Sequence, residues 1–82
     1  MSTNGSKTGR QKRSLSIHGH KTSLSLEPEF WAIIDTAAQT ANASLASFIT
    51  QLDDTRTDQD STYGLAAYLR LWVLRHVQGQ NK

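Results

Sequence analysis

Between His20 and Leu26 the side chains alternate in character. Thr22, Leu24 and Leu26 fall on one face of an extended chain, and Lys21, Ser23 and Ser25 fall on the other. The spacing predicts a strand with one apolar face and one polar face. Just before it, Arg13-Ser14-Leu15-Ser16-Ile17 alternates in the same way, with Leu15 and Ile17 opposite Ser14 and Ser16, and His18-Gly19-His20 offers a bend in which Gly19 tolerates positive φ. These residues form either the first strand of a hairpin or an irregular lead-in packed near the main strand. A lone strand leaves N–H and C=O groups unpaired on both edges. The main strand therefore pairs either with this preceding segment or with its own copy in a second chain.

After Leu26 the period changes from 2 to 3.6. Pro28 suits a first helical turn, Glu27 and Glu29 suit the positive end of a helix dipole, and Phe30, Ile33, Ile34, Ala37, Ala38 and Ala41 recur at helical spacing. A helix is predicted from Pro28 to about Ala41, closed by Asn42, a residue that accepts left-handed backbone. Ser44 then serves as N-cap of a second helix carrying Leu45, Phe48, Ile49 and Leu52 and running to about Asp54. Thr55 to Asp60 lacks apolar residues and reads as a loop. Asp60, Ser61 or Thr62 caps a third helix whose Tyr63, Leu65, Tyr68, Leu69, Leu71, Trp72, Val73, Leu74 and Val77 make it apolar on more than one side. Such a helix is expected to rest partly against another chain.

Composition sharpens this picture in three respects. The 82 residues allow one domain, and a monomer of this size buries only about 60% of its unfolded surface, which favours oligomerisation. Cysteine is absent, so neither disulfides nor thiolate metal sites supply stability. There is no apolar run of membrane-spanning length, and Met-Ser-Thr-Asn-Gly-Ser has no signal-peptide core, so a soluble, cytoplasmic protein is expected.

Charge is distributed unevenly. Residues 1–21 hold Lys7, Arg10, Lys12, Arg13 and Lys21 with no acid, whereas the remainder sets Arg56, Arg70, Arg75 and Lys82 against seven carboxylates. The N-terminal part is the one that attracts a polyanion. Residues 1–12, with no apolar side chain after Met1, are expected to form a flexible basic arm, residues 13–77 the folded domain and residues 78–82 a frayed tail. Lysine donates to guanine O6 or N7, serine donates or accepts at several bases, and a helix N-terminus holds phosphate, so the polar strand face and the start of the second helix are candidate nucleic-acid contacts. The plainer role for Lys21, Ser23 and Ser25 is an ordinary solvent face.

Other chemistry is weakly represented. His18, His20 and His76 have no third or fourth ligand at sensible spacing, and Asp53, Asp54, Asp58 and Asp60 lack the order of a calcium loop. Trp31 and Trp72 read as packing anchors. No nucleophile, base and acid set or glycine-rich phosphate loop is present, so neither an enzyme nor a cofactor is expected.

One strand followed by two helices joined by a tight turn resembles the ribbon-helix-helix DNA-binding proteins, which include the Arc and MetJ repressors. Arg13-Ser14-Leu15-Ser16-Ile17, the Gly19-His20-Lys21-Thr22-Ser23 and Glu27-Pro28-Glu29-Phe30-Trp31 segments, Ser44-Leu45 and Leu69 to His76 are similar to a bacterial subfamily with an added C-terminal helix. The resemblance implies a mostly α fold with a short β ribbon, built as an intertwined homodimer with an intermolecular antiparallel sheet and a third helix. It places base contacts on Lys21, Ser23 and Ser25. Phosphate contacts are expected at Arg10, Lys12, Arg13, Ser44, Leu45 and Ala46, and the dimer core is expected to contain Leu24, Leu26, Phe30, Ile34, Phe48, Ile49, Leu52 and Trp72. The chain departs from the family in having Asn42-Ala43 where glycine is common, and serines where larger bases or amides are frequent on the ribbon. The implied partner is double-stranded DNA, bound by dimers that assemble further along the duplex, as in a transcriptional regulator. The alternative is a ribbon-helix-helix dimer acting as an adaptor or antitoxin, with a protein partner on the C-terminal helix.

Overall fold

The computed structural model describes residues 9–59 and 62–80, in the order β1 (Gln11–Ile17), β2 (His20–Leu26), α1 (Pro28–Thr40), α2 (Leu45–Asp58) and α3 (Leu65–Gln80). The main strand β2 takes the preceding segment of its own chain as partner. The strands pair antiparallel from Gln11 opposite Leu26 to Ile17 opposite His20. His18 (φ 53°) and Gly19 (φ 77°) make the turn. Two successive positive φ values suit the right-handed twist of a two-residue hairpin. One chain thus completes a two-stranded ribbon by itself, with β1 reaching back to Gln11 and Lys12, residues assigned from sequence to the flexible arm. The rest of the arm before Gly9 lies outside the described residues.

The inner face of the ribbon carries Leu15, Ile17, Leu24 and Leu26 onto the helices, with α2 against β1, α3 against β2 and the three helices against one another. Leu26, Ile34, Ile49 and Leu69 are fully buried, and Trp31 is almost so. With Phe30 half-buried, Trp31 is the main anchor of α1, the packing role expected of it. Its indole N–H donates to the Gln11 carbonyl at 2.8 Å, which satisfies the buried polar atom and pins the open end of β1.

The first helical junction follows the local chemistry closely. Asn42 stands at φ 61°, its N–H donates to the Gln39 carbonyl, and the Ala43 N–H donates to the Ala38 carbonyl, both at 3.0 Å. This pair of bonds is the glycine-type helix stop, made here with asparagine. The second junction departs from expectation. Helix α2 continues to Asp58 through residues read as loop, and Thr55 and Thr57 hydroxyls donate to the carbonyls of Gln51 and Asp53 one turn back. Arg56 holds Asp53 and the Tyr63 carbonyl, which joins the end of α2 to the approach to α3. Asp53 and Asp54 are accordingly helical residues with partners. Asp60 and Ser61, two of the expected caps, lie outside the described residues, and α3 begins only at Leu65. It persists to Gln80, past the expected fraying point.

Most of α3 is covered by its own chain. Tyr68, Leu69 and Val73 are buried and Trp72 is half-buried, edge-on to Phe48 at 5.4 Å and stacked on His76 at 4.6 Å. Leu74, 49% exposed, is the large apolar residue of this helix left to solvent. No helix of the described residues is long and apolar enough to cross a membrane.

Candidate nucleic-acid interface

Strand parity sorts the ribbon's side chains. The outer face carries Lys12, Ser14 and Ser16 from β1 and Lys21, Ser23 and Ser25 from β2, in the pairs Lys12 with Ser25, Ser14 with Ser23 and Ser16 with Lys21. All are exposed except Ser25, which is half-buried. The face therefore holds two lysines and four hydroxyls without a carboxylate. The inner face of the ribbon is packed against helices, and strands held on a scaffold position contact side chains better than loops.

The ribbon is fixed at both ends. At its turn, His18 Nε2 lies 2.8 Å from Asp54 Oδ1 and 3.5 Å from Asp53 Oδ2 on α2. At its exit into α1, Arg70 of α3 donates from Nε to Glu27 Oε1 at 3.0 Å and from Nη2 to the Ser25 carbonyl at 3.3 Å, with its guanidinium 6.0 Å from the Phe30 ring centre. The Arg70 hydrogen bond is the main reason that the Glu27 carboxyl titrates below the usual carboxylate range, helped by a hydrogen bond from its own backbone. The third helix thus braces the strand that bears Lys21, Ser23 and Ser25.

The phosphate candidates separate into different environments. Arg10 is exposed just before β1. Lys12 is in β1 on the outer face. Arg13, one residue on, points to the inner side, where Nη1 and Nη2 donate to Asp35 Oδ1 and Oδ2 at 2.9 and 3.1 Å and the guanidinium lies 4.4 Å over the Trp31 ring. The expectation that Arg13 meets phosphate is therefore corrected. Its two-pronged edge is committed to Asp35 and its flat face to an indole. Ser44 is the N-cap of α2, its Oγ accepting from the Ser47 N–H at 3.1 Å. The N–H groups of Leu45 and Ala46 belong to the first turn, before the first helical bond from the Phe48 N–H to the Ser44 carbonyl.

The expected dimer-core residues divide as well. Leu24, Leu26, Ile34 and Ile49 are buried within one chain, while Phe30, Phe48, Leu52 and Trp72 are half-buried. An open groove of about 200 Å³ lies along Thr36, Ala37, Thr40, Ala41, Phe48, Trp72 and His76. Sequence reasoning missed Ser14 and Ser16 as members of the polar face. The signal was present, because Lys-x-Ser-Leu-Ser occurs at Lys12 to Ser16 and again at Lys21 to Ser25.

Comparison with known proteins agrees with this geometry. The profile of the ribbon-helix-helix domain matches residues 10–77. A solved structure of an uncharacterized protein from Bordetella pertussis Tohama I superposes with a TM-score of 0.79 at 26% identity, over 96% of this chain and 64% of that one. The chain thus spans less than two thirds of that relative's length. No curated protein matches.

Proposed function

The chain belongs to the ribbon-helix-helix family, and from that premise we propose that it is a sequence-selective DNA-binding protein, a transcriptional regulator that lays the outer face of its ribbon in the major groove. One observation carries the reading: a two-stranded antiparallel ribbon whose solvent face bears Lys12 and Lys21 among hydroxyls, with no acid. A major groove admits a ribbon of this width, and lysine and serine both hydrogen-bond to base edges there. Lys21, Ser23 and Ser25 face the bases. Arg10, Lys12 and the first turn of α2 at Ser44, Leu45 and Ala46 supply phosphate contacts.

The protein acts as a homodimer, in keeping with its family. Phe30, Phe48, Leu52 and Trp72, half-buried in the single chain, supply apolar surface for the contact. Serine reads bases degenerately, so selectivity grows by placing dimers side by side on short sites roughly 10 bp apart. Nothing in this function requires catalysis or a cofactor.

Electrophoretic mobility of random and genomic DNA fragments with the purified protein, at graded salt, tests the proposal. The expected result is retardation that weakens steeply with salt, with some fragments retained longer than others. Absence of retardation at every salt concentration overturns it. That outcome favours a protein-interaction module, adaptor or antitoxin, with the groove beside Trp72 on α3 as its contact surface.

A further inference from the structure

The N-cap of α1 is Glu27, whose side chain makes no bond to the N–H groups of its helix, in contrast with Ser44 at the start of α2. Its carboxylate is used over a longer distance. Arg70, 43 positions on in α3, donates from Nε to Glu27 Oε1 at 3.0 Å and from Nη2 to the Ser25 carbonyl at 3.3 Å. An arginine facing a carboxylate commonly gives it two parallel bonds, as Arg13 does with Asp35. Arg70 divides its fork instead. One prong holds a side chain at the entry to α1, and the other holds a main-chain carbonyl of β2. Leu26, fully buried, lies between the two points. Three successive residues at the strand exit are therefore each fixed: Ser25 by its carbonyl, Leu26 by its side chain and Glu27 by its carboxylate.

We infer that Arg70 is a positioning residue for DNA reading, which holds Ser25, and through it the outer face of β2, at the tilt the groove requires. This inference rests on the DNA-binding reading above, and it holds whichever strand borders β2 in the homodimer. A peptide bond is planar, so fixing the Ser25 carbonyl fixes the plane that follows its Cα, and with it one of only two soft backbone angles. The Ser25 side chain leaves the same Cα toward the outer face. Ser23 and Lys21 stand at the same parity on this strand, so a change of tilt at the exit is passed on to them. The tie itself adds little stability, since the Arg70 and Glu27 side chains are 29% and 36% exposed. Its consequence is geometric. The third helix, which buries Leu69 and Val73 in the core, thereby also sets the strand that meets the bases.

The test uses the full chain and DNA selected from a random pool with the wild type, and compares affinity for the selected site with affinity for unselected DNA. Arg70→Gln, Arg70→Lys and Glu27→Gln are measured, with Arg13→Ala as a control that loses an ion pair on the inner side of the ribbon. Thermal melting shows which variants keep their fold. Arg70→Gln removes a cation and Glu27→Gln an anion, so a plain charge effect would move DNA affinity in opposite directions. The expected result is that both lower the preference for the selected site. Arg70→Gln should lose about three- to tenfold, the scale on which a residue outside the contact surface alters binding, and Glu27→Gln less, because the bond to Ser25 remains. Arg70→Lys keeps the charge but cannot span both acceptors, so it too should lose preference. The salt slope should stay that of the wild type in every variant, and Arg13→Ala should keep the preference. Unchanged preference in both Arg70 variants overturns the inference. So does an equal weakening on both DNAs with a shallower salt slope, which makes Arg70 a phosphate contact, or a loss in Arg13→Ala that matches Arg70→Gln, which makes the effect a general loosening. DNA binding stands in all three cases. If Arg70→Gln unfolds, Arg70→Lys and Glu27→Gln decide the question. A wild type that binds no DNA removes the reading itself, and the inference with it.

Discussion

Adjacent residues of β1 place a cation on each face of the ribbon, and the two have opposite fates. Arg13, on the inner side, is held by both carboxylate oxygens of Asp35 and by the Trp31 ring. Lys12, on the outer side, stands in solvent across from Ser25. The same contrast separates Leu24, which is buried, from Ser23, which is exposed. A shift of one residue along a strand decides whether a side chain stabilises the domain or is presented to a ligand. Composition alone cannot make that distinction, since it counts Lys12 and Arg13 equally within the acid-free residues 1–21.

The contrast between the faces can be broken most severely at the core. Leu24→Ala is expected to cost about 2–5 kcal/mol of stability, whereas Ser23→Ala should stay within about 0.5 kcal/mol. Denaturant midpoints of the two variants decide the matter, and equal small effects would mean that the faces have been exchanged. On the outer side, Lys21→Ala should leave the midpoint unchanged and reduce discrimination between a preferred site and random DNA by about 1–3 kcal/mol, measured by competition binding.

Arg13→Ala sharpens the comparison further. Its pair with Asp35 is partly solvent-exposed, so the expected loss of stability is about 1 kcal/mol, including the stacking on Trp31. The salt dependence of DNA binding should not change. A shallower salt slope in this variant, with unaltered melting, would return Arg13 to the set of phosphate contacts.

The smallest effect is expected at the strap between Glu27 and Arg70. The Glu27 carboxyl titrates below its usual range because of the Arg70 hydrogen bond. Its contribution is therefore complete above the unfolded carboxyl's pKa and disappears as pH falls through the lower folded value. Denaturant midpoints followed from neutrality into acid should fall less steeply for Glu27→Gln than for the wild type. Identical slopes would show that the strap adds nothing to stability.

Much of the site was legible because the signals are local. Parity alone puts Lys21, Ser23 and Ser25 on one face and Leu24 and Leu26 on the other. The stop at Asn42 and the cap at Ser44 follow from backbone and hydroxyl chemistry within a few residues. The other half of the polar face was harder to see, because Ser14 and Ser16 join it only if β1 is a strand in this register.

Local pattern thus determined the alternating strand, the helical stripes of α1 and α2, the tight turn between them and the basic character of the N-terminal part. Tertiary structure decided the rest. It paired β1 with β2 in this register, extended α2 to Asp58 and packed α3 against β2 and the other helices. It also turned Arg13 toward an aspartate 22 positions away. Periodicity records which side chains share a face, but an ion pair, a strand partner or a covered helix depends on which distant surfaces meet, and that is settled only when the whole chain packs at once.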